Sequence, residues 1–118
     1  MENDRFERCL LLDFYGELLT EKQRMYFDWH YNEDLSLAEI AQSEGISRQG
    51  VWDIIRRSEE SLRRIEEKTG LIARLTAQRE AAARAETLLS ELTPLTEGRA
   101  RELTEALSDT IRELRYGI

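Results

Sequence analysis

The sequence predicts an all-α protein, on three observations. Leu is abundant and Ala common while Val occurs once, so intrinsic preference leans towards helix. No stretch alternates apolar and polar residues as a half-buried strand would, and no internal repeat is present. Apolar residues instead recur at spacings of three and four, the period of a helical face.

The elements follow in order. From Asp4 to about Leu18, Phe6, Leu10, Phe14 and Leu18 are spaced by four with Leu11 beside them, which reads as one helical face. Thr20-Glu-Lys-Gln23 has the form of a capping box and predicts a helix to about Tyr31 carrying Tyr26, Phe27, His30 and Tyr31. Ser36-Leu-Ala-Glu39 is a second capping box. It opens a short helix, Leu37–Glu44, closed by Gly45. Ser47 caps the next helix, Arg48–Lys68, whose stripe is Val51, Ile54, Ile55, Leu62 and Ile65. After Gly70 a further helix carries Leu71, Leu75, Ala82, Ala85, Leu89 and Leu92. Thr93-Pro94 breaks it, and the last helix presents Leu103, Leu107, Ile111 and Leu114. The two C-terminal helices suit an antiparallel hairpin. The expected organisation is a helix-turn-helix domain over residues 1–69, its motif at about 36–57, and a helical hairpin over 70–118.

Composition bounds the chemistry. The 118 residues are 41% hydrophobic and 35% charged, too apolar for disorder and without a run that spans a bilayer. A lone Cys excludes a disulfide framework, and one Cys with one His cannot make a zinc site from soft ligands. Met1–Arg8 is mostly charged and does not read as a secretion signal. The expectation is a cytoplasmic protein without metal or cofactor and without membrane insertion. The net charge of −7 disfavours gripping nucleic acid by bulk electrostatics. Residues 1–46 hold 4 basic and 11 acidic residues, whereas 47–118 hold 13 of each, so any basic surface is local.

The pair Leu37–Glu44 and Arg48–Lys68, joined by Gly45-Ile46-Ser47, has the layout of a helix-turn-helix. Ile40, Ala41, Gly45, Ile46, Val51 and Ile55 are its expected core: Ala41 is small where the helices cross, Ile46 plugs the turn, and Val51 packs back on Ile40. With Val51 inward, Gln49, Trp52, Asp53 and Arg56 face outward, Arg57 flanks them, and Ser47 and Arg48 stand at the tip. Gln and Arg match base edges and phosphates, and the helix N-terminus favours a phosphate. The bland reading is a neutralised solvent face, because Asp53/Arg57, Glu59/Arg63 and Glu60/Arg64 stand at i,i+4 with the acid first.

These residues carry a resemblance. Thr20-Glu-Lys-Gln-Arg24, Tyr31-Asn-Glu-Asp-Leu-Ser-Leu-Ala-Glu-Ile-Ala41, Ile46-Ser-Arg-Gln-Gly-Val51 and Ile55-Arg-Arg57 resemble the YlxM family of small bacterial proteins. That family is similar to region 4 of sigma-70-type sigma factors. The chain departs from the family pattern at Gly50, commonly Ala, and at Trp52, commonly Tyr. The resemblance implies a helix-turn-helix regulator linked to the signal recognition particle pathway, with DNA or the particle's RNA as ligand and the particle's protein components as partners.

Enzymatic function is the least favoured class. His30, the only His, lies among Phe27, Trp29 and Tyr31 and reads as half-buried, and Cys9 reads as a small packed residue. The rival to nucleic-acid binding is an interaction module whose acidic N-terminal part meets a basic protein. Two apolar-striped helices cannot cover each other's faces alone, so the hairpin is expected to dock on the helix-turn-helix core or, the favoured choice, to pair with a second chain in a homodimer.

Overall fold

The computed structural model describes residues 2–116, with side chains from residue 4 onward. Six α-helices follow one another, α1 (Glu2–Tyr15), α2 (Glu21–Tyr31), α3 (Leu37–Glu44), α4 (Arg48–Thr69), α5 (Leu71–Leu92) and α6 (Gly98–Tyr116), and no strand forms among the described residues. The chain divides into two compact units, the first ending at Ile72 and the second beginning at Ala73.

The first unit is built on α4, which packs against α1, α2 and α3. Its core joins Leu11 and Tyr15 of α1, Tyr26 and Phe27 of α2, Ile40 and Ala41 of α3, and Val51, Ile55 and Leu62 of α4. Ser58 is buried inside the α4 stripe. Its hydroxyl donates to the Ile54 carbonyl at 2.7 Å, so no polar group is left unpaired there. The capping box at the head of α2 forms in both directions, Gln23 N–H to Thr20 Oγ1 at 3.2 Å and Thr20 N–H to Gln23 Oε1 at 3.0 Å.

The first helix differs from its expected face. Phe6 is 65% and Leu18 71% exposed, while α1 buries Leu11 and Tyr15. A strict spacing of four drifts by about 40° per step around a helix of 3.6 residues per turn, so Phe6 and Phe14 do not share one direction. Leu18 leaves the helix altogether, because a 3-10 turn begins at Gly16 and runs to Leu18. What orients α1 is α4. Arg8 Nε donates to Glu59 at 2.7 Å and Tyr15 OH donates to Glu66 at 2.5 Å, both 51 residues on, so the two helices run side by side in the same direction. The Tyr15 oxygen in turn meets the Thr69 hydroxyl at 2.7 Å.

Gly70 ends α4 with φ of 61°, a left-handed conformation that costs a glycine little. Ile72 N–H then donates to Glu66 at 3.0 Å, and Ile72 packs on the first core, which keeps the start of α5 with the first unit. In the second unit α5 turns through a 3-10 segment, Thr93–Leu95, with Pro94 at its start, before α6. Arg115 of α6 donates to Glu86 of α5 at 2.5 Å and Arg112 lies 3.5 Å from the same carboxylate, so two ion pairs on one carboxylate join these helices. Of its large apolar residues Leu89 alone is buried among the described residues, and Leu88, Leu92, Leu95, Leu103, Leu107 and Leu114 are exposed.

Candidate nucleic-acid interface

The motif is assembled from local signals. Ser36 Oγ accepts from Glu39 N–H and Glu39 Oε1 from Ser36 N–H, both at 3.0 Å, which sets the start of α3. The bond from the Ser36 N–H holds the Glu39 carboxyl below the ordinary carboxylate range. At the other end Gly45 takes φ of 71°, and the N–H groups of Gly45 and Ile46 both reach the Ala41 carbonyl, at 2.9 and 3.2 Å. Tyr26 OH donates to Glu44 at 3.0 Å and ties the end of α3 to α2. Ser47 Oγ then accepts from Gly50 N–H at 2.9 Å and starts α4.

Ile40, Ala41, Val51 and Ile55 lie in the core as these helices cross. Ile46 does not plug it. The residue is 40% exposed, since the left-handed turn at Gly45 carries it past the crossing. Its Cδ1 lies instead over the first turn of α4, 3.8 Å from where a Cβ on Gly50 would stand. That same Cβ would stand 3.1 Å from Ser47 Oγ. Gln23 and Glu39 occupy the equivalent third helical position in α2 and α3 and keep their caps, so a Cβ fits this geometry. Gly50→Ala is therefore expected to stabilise the first unit by about 0.5–1 kcal/mol, through backbone entropy. Thermal melting checks it, and a lower melting temperature would show that the cap cannot yield.

The outward face carries the predicted residues in three conditions. Arg48 and Arg57 are exposed, with no ion pair or hydrogen bond to their side chains among the described residues. Gln49 and Arg56 are exposed but engaged, Gln49 Nε2 donating to half-buried Asp53 at 3.0 Å and Arg56 to Glu60 at 2.8 Å. Ser47 is occupied as the cap. Of the three expected acid–base pairs, only Glu59–Arg63 forms, at 3.0 Å. The other two are corrected. Arg56 lies one turn before Glu60 and captures it, and Asp53 takes the Gln49 amide, which leaves the Arg57 and Arg64 side chains without a partner among the described residues. The face is thus less neutralised at Arg48 and Arg57 than pair counting implies.

Trp52 is 36% exposed and meets the His30 ring in a T-shaped contact, centroids 6.5 Å apart. It opens onto a cleft of about 320 Å³ shared with Arg8, Tyr31, Arg56, Glu59, Glu60 and Arg63. Sequence reasoning missed Arg8 and Tyr31. They stand 44 and 21 positions before Trp52, and no periodicity within one helix could bring them there. Glu59 anchors this wall. Burial pushes its carboxyl up, but the hydrogen bonds from Arg8 and Arg63 outweigh it and leave the group below its ordinary value.

His30 Nδ1 donates to the Leu35 carbonyl at 2.8 Å and Cys9 Sγ lies 2.9 Å from Asn32 Oδ1. Both are half-buried. Among the described residues no group of His, Cys, Asp and Glu could hold a metal, and no helix is long and apolar enough to cross a membrane.

Two capped helices crossing through Ile40, Ala41 and Val51, with the second presenting its first turns to solvent, define a helix-turn-helix protein. Comparison with known proteins agrees. The chain belongs to the UPF0122 family, described as "Putative helix-turn-helix protein, YlxM / p13 like", which matches residues 2–97. A UPF0122 protein of Listeria welshimeri is 42% identical over 107 residues, 90% of this chain and 89% of the relative. One from Caldanaerobacter subterraneus subsp. tengcongensis is 53% identical over 72 residues, and one from Clostridium kluyveri 54% over 69. Each of those two matches covers 62% of the relative's length, 61% of this chain in the first case and 58% in the second. No solved structure matches the chain.

Proposed function

We propose that this is a regulatory protein that binds nucleic acid, DNA or signal recognition particle RNA, through the first turns of α4. Ser47, Arg48, Gln49, Trp52, Asp53, Arg56 and Arg57 form the contact face. The observation that carries this reading is a pair of arginines without a side-chain partner among the described residues, Arg48 at the helix tip and Arg57 on its flank, in a protein of net charge −7. Cations left without partners beside an open helix N-terminus are placed for phosphates, while Gln49 and Arg56 exchange their intramolecular acids for base edges. Membership of a helix-turn-helix family supports the same assignment. The resemblance to YlxM proteins extends it to the signal recognition particle pathway and to contact with the particle's protein components.

The test is anisotropy of the full chain against labelled particle RNA and a DNA duplex across a salt series. Binding is expected to weaken with log K falling linearly in log salt, with a slope of about 0.9 per duplex phosphate contacted and about 0.7 on a single strand. Arg48→Glu is expected to abolish binding with far-ultraviolet dichroism and melting unchanged, because its side chain makes no hydrogen bond or ion pair among the described residues. Undiminished binding by that variant excludes this face.

The exposed leucines of the second unit support a two-fold homodimer as the working form. On duplex DNA it would meet half-sites about one helical turn apart. Light scattering is expected to give twice the chain mass of 13.8 kDa. A monomer mass at high concentration rejects the dimer.

A further inference from the structure

Trp52 is an unusual residue for a helix face that reads base edges. Its indole offers one donor, and edge reading in a major groove is done by bidentate Arg, Asn and Gln. What Trp52 does offer is a ring surface. It is partly exposed, its one ring contact among the described residues is the T-shaped one with His30, and no ring lies flat upon it. It faces a cleft, so the ring forms a wall against which a second flat group can rest.

The charge around that wall is specific. Arg48, Trp52 and Arg56 follow one another at i, i+4 and i+8 on α4, one turn apart, so a cation stands to each side of the indole. Across the cleft the Arg8 guanidinium lies over the Tyr31 ring at 4.6 Å from its centroid. Two carboxylates share the lining: Glu59 bonds Arg8 and Arg63, and Glu60 bonds Arg56 at 2.8 Å, so Arg56 exchanges Glu60 for a phosphate when a ligand enters. The cleft's volume of about 320 Å³ lies at the lower end of the range of about 300–1,000 Å³ that small flat ligands occupy. Aromatic surface flanked by guanidinium groups is the chemistry that recognises a nucleotide whose base is unstacked: the ring takes the base and the cations take the phosphates on either side. A base within an intact duplex has both faces covered by its neighbours and cannot enter.

We propose that the cleft between α1, α2 and α4 receives an unpaired nucleobase, stacked on Trp52 with its flanking phosphates held by Arg48 and Arg56. This rests on the nucleic-acid reading above and narrows it to a ligand with a single-stranded or looped segment. The arrangement accepts any base, since every base has a flat face, so the selection is for unpairing rather than sequence.

The experiment titrates the full chain with a short single-stranded RNA of mixed sequence and with the same RNA annealed to its complement, following tryptophan emission and anisotropy together. The single strand is expected to quench the emission. Trp52→Leu is expected to remove that quench and weaken single-strand binding by about 5- to 150-fold, while duplex binding changes far less. Trp52→Phe, which keeps a ring, is expected to recover part of the affinity. Trp52 is a surface residue, and unchanged melting of both variants establishes that the fold is kept. Single-strand binding without quench, or equal losses on both ligands, overturns the cleft and leaves the Arg48 face standing. Absence of binding to either RNA, to particle RNA and to DNA overturns both readings and points to a protein as the partner.

Discussion

Phe27→Ala is expected to destabilise the first unit by about 3–5 kcal/mol, the range for removing a fully buried aromatic side chain. Phe27 is among the most completely buried residues, packed with the Tyr31 ring at 4.9 Å and in the cluster that joins α1, α2, α3 and α4. Truncation leaves a cavity where four helices meet, and none of them can collapse into it without moving the others. Total stabilities of small domains run to about 5–15 kcal/mol, so the variant stands at the edge of unfolding. Denaturant melts followed by dichroism measure the loss. Leu88→Ala, which truncates an exposed residue, is the control and is expected to leave the melting of the first unit unmoved. A loss below about 1 kcal/mol at Phe27, the size expected of a minor core trim, would show that the first unit is not held at this point.

Glu59→Gln is expected to cost about 2 kcal/mol at neutral pH. Glu59 accepts from Arg8 at 2.7 Å and from Arg63 at 3.0 Å, and so joins α1 to α4. Breaking a fully buried pair costs about 3–5 kcal/mol, but Arg63 is 42% exposed and water screens its share. The sign with pH follows from the lowered carboxyl. Its folded pKa lies below the unfolded one, so the stabilisation is complete above the ordinary carboxylate value of about 4.3 and is lost as pH falls through the folded value. The melting temperatures of the native chain and Glu59→Gln are therefore expected to differ at neutral pH and converge in acid. A gap that persists unchanged to low pH would mean that packing, not charge, holds Arg8.

Helix starts were the most legible part of the fold. Thr20, Ser36 and Ser47 each cap the helix that follows, because a cap is a contact over three residues and needs nothing from elsewhere in the chain. Gly45 and Gly70 end α3 and α4 in the left-handed conformation for the same local reason. The face of α1 was less legible, since its true side is chosen by Glu59 and Glu66 of α4, about fifty residues away. The α4 ion pairs were legible only as a set of options: Glu60 stands four residues from both Arg56 and Arg64, and the pair that forms is with Arg56.

Local chemistry by itself thus determined the all-α class and the capped helix-turn-helix, because capping, periodicity and turn conformation act over a few residues. Tertiary packing alone decided which side of α1 is buried and that Trp52 opens onto Arg8 and Tyr31. Those outcomes depend on where distant helices cross, and crossing positions come from the summed packing of side chains far apart along the chain.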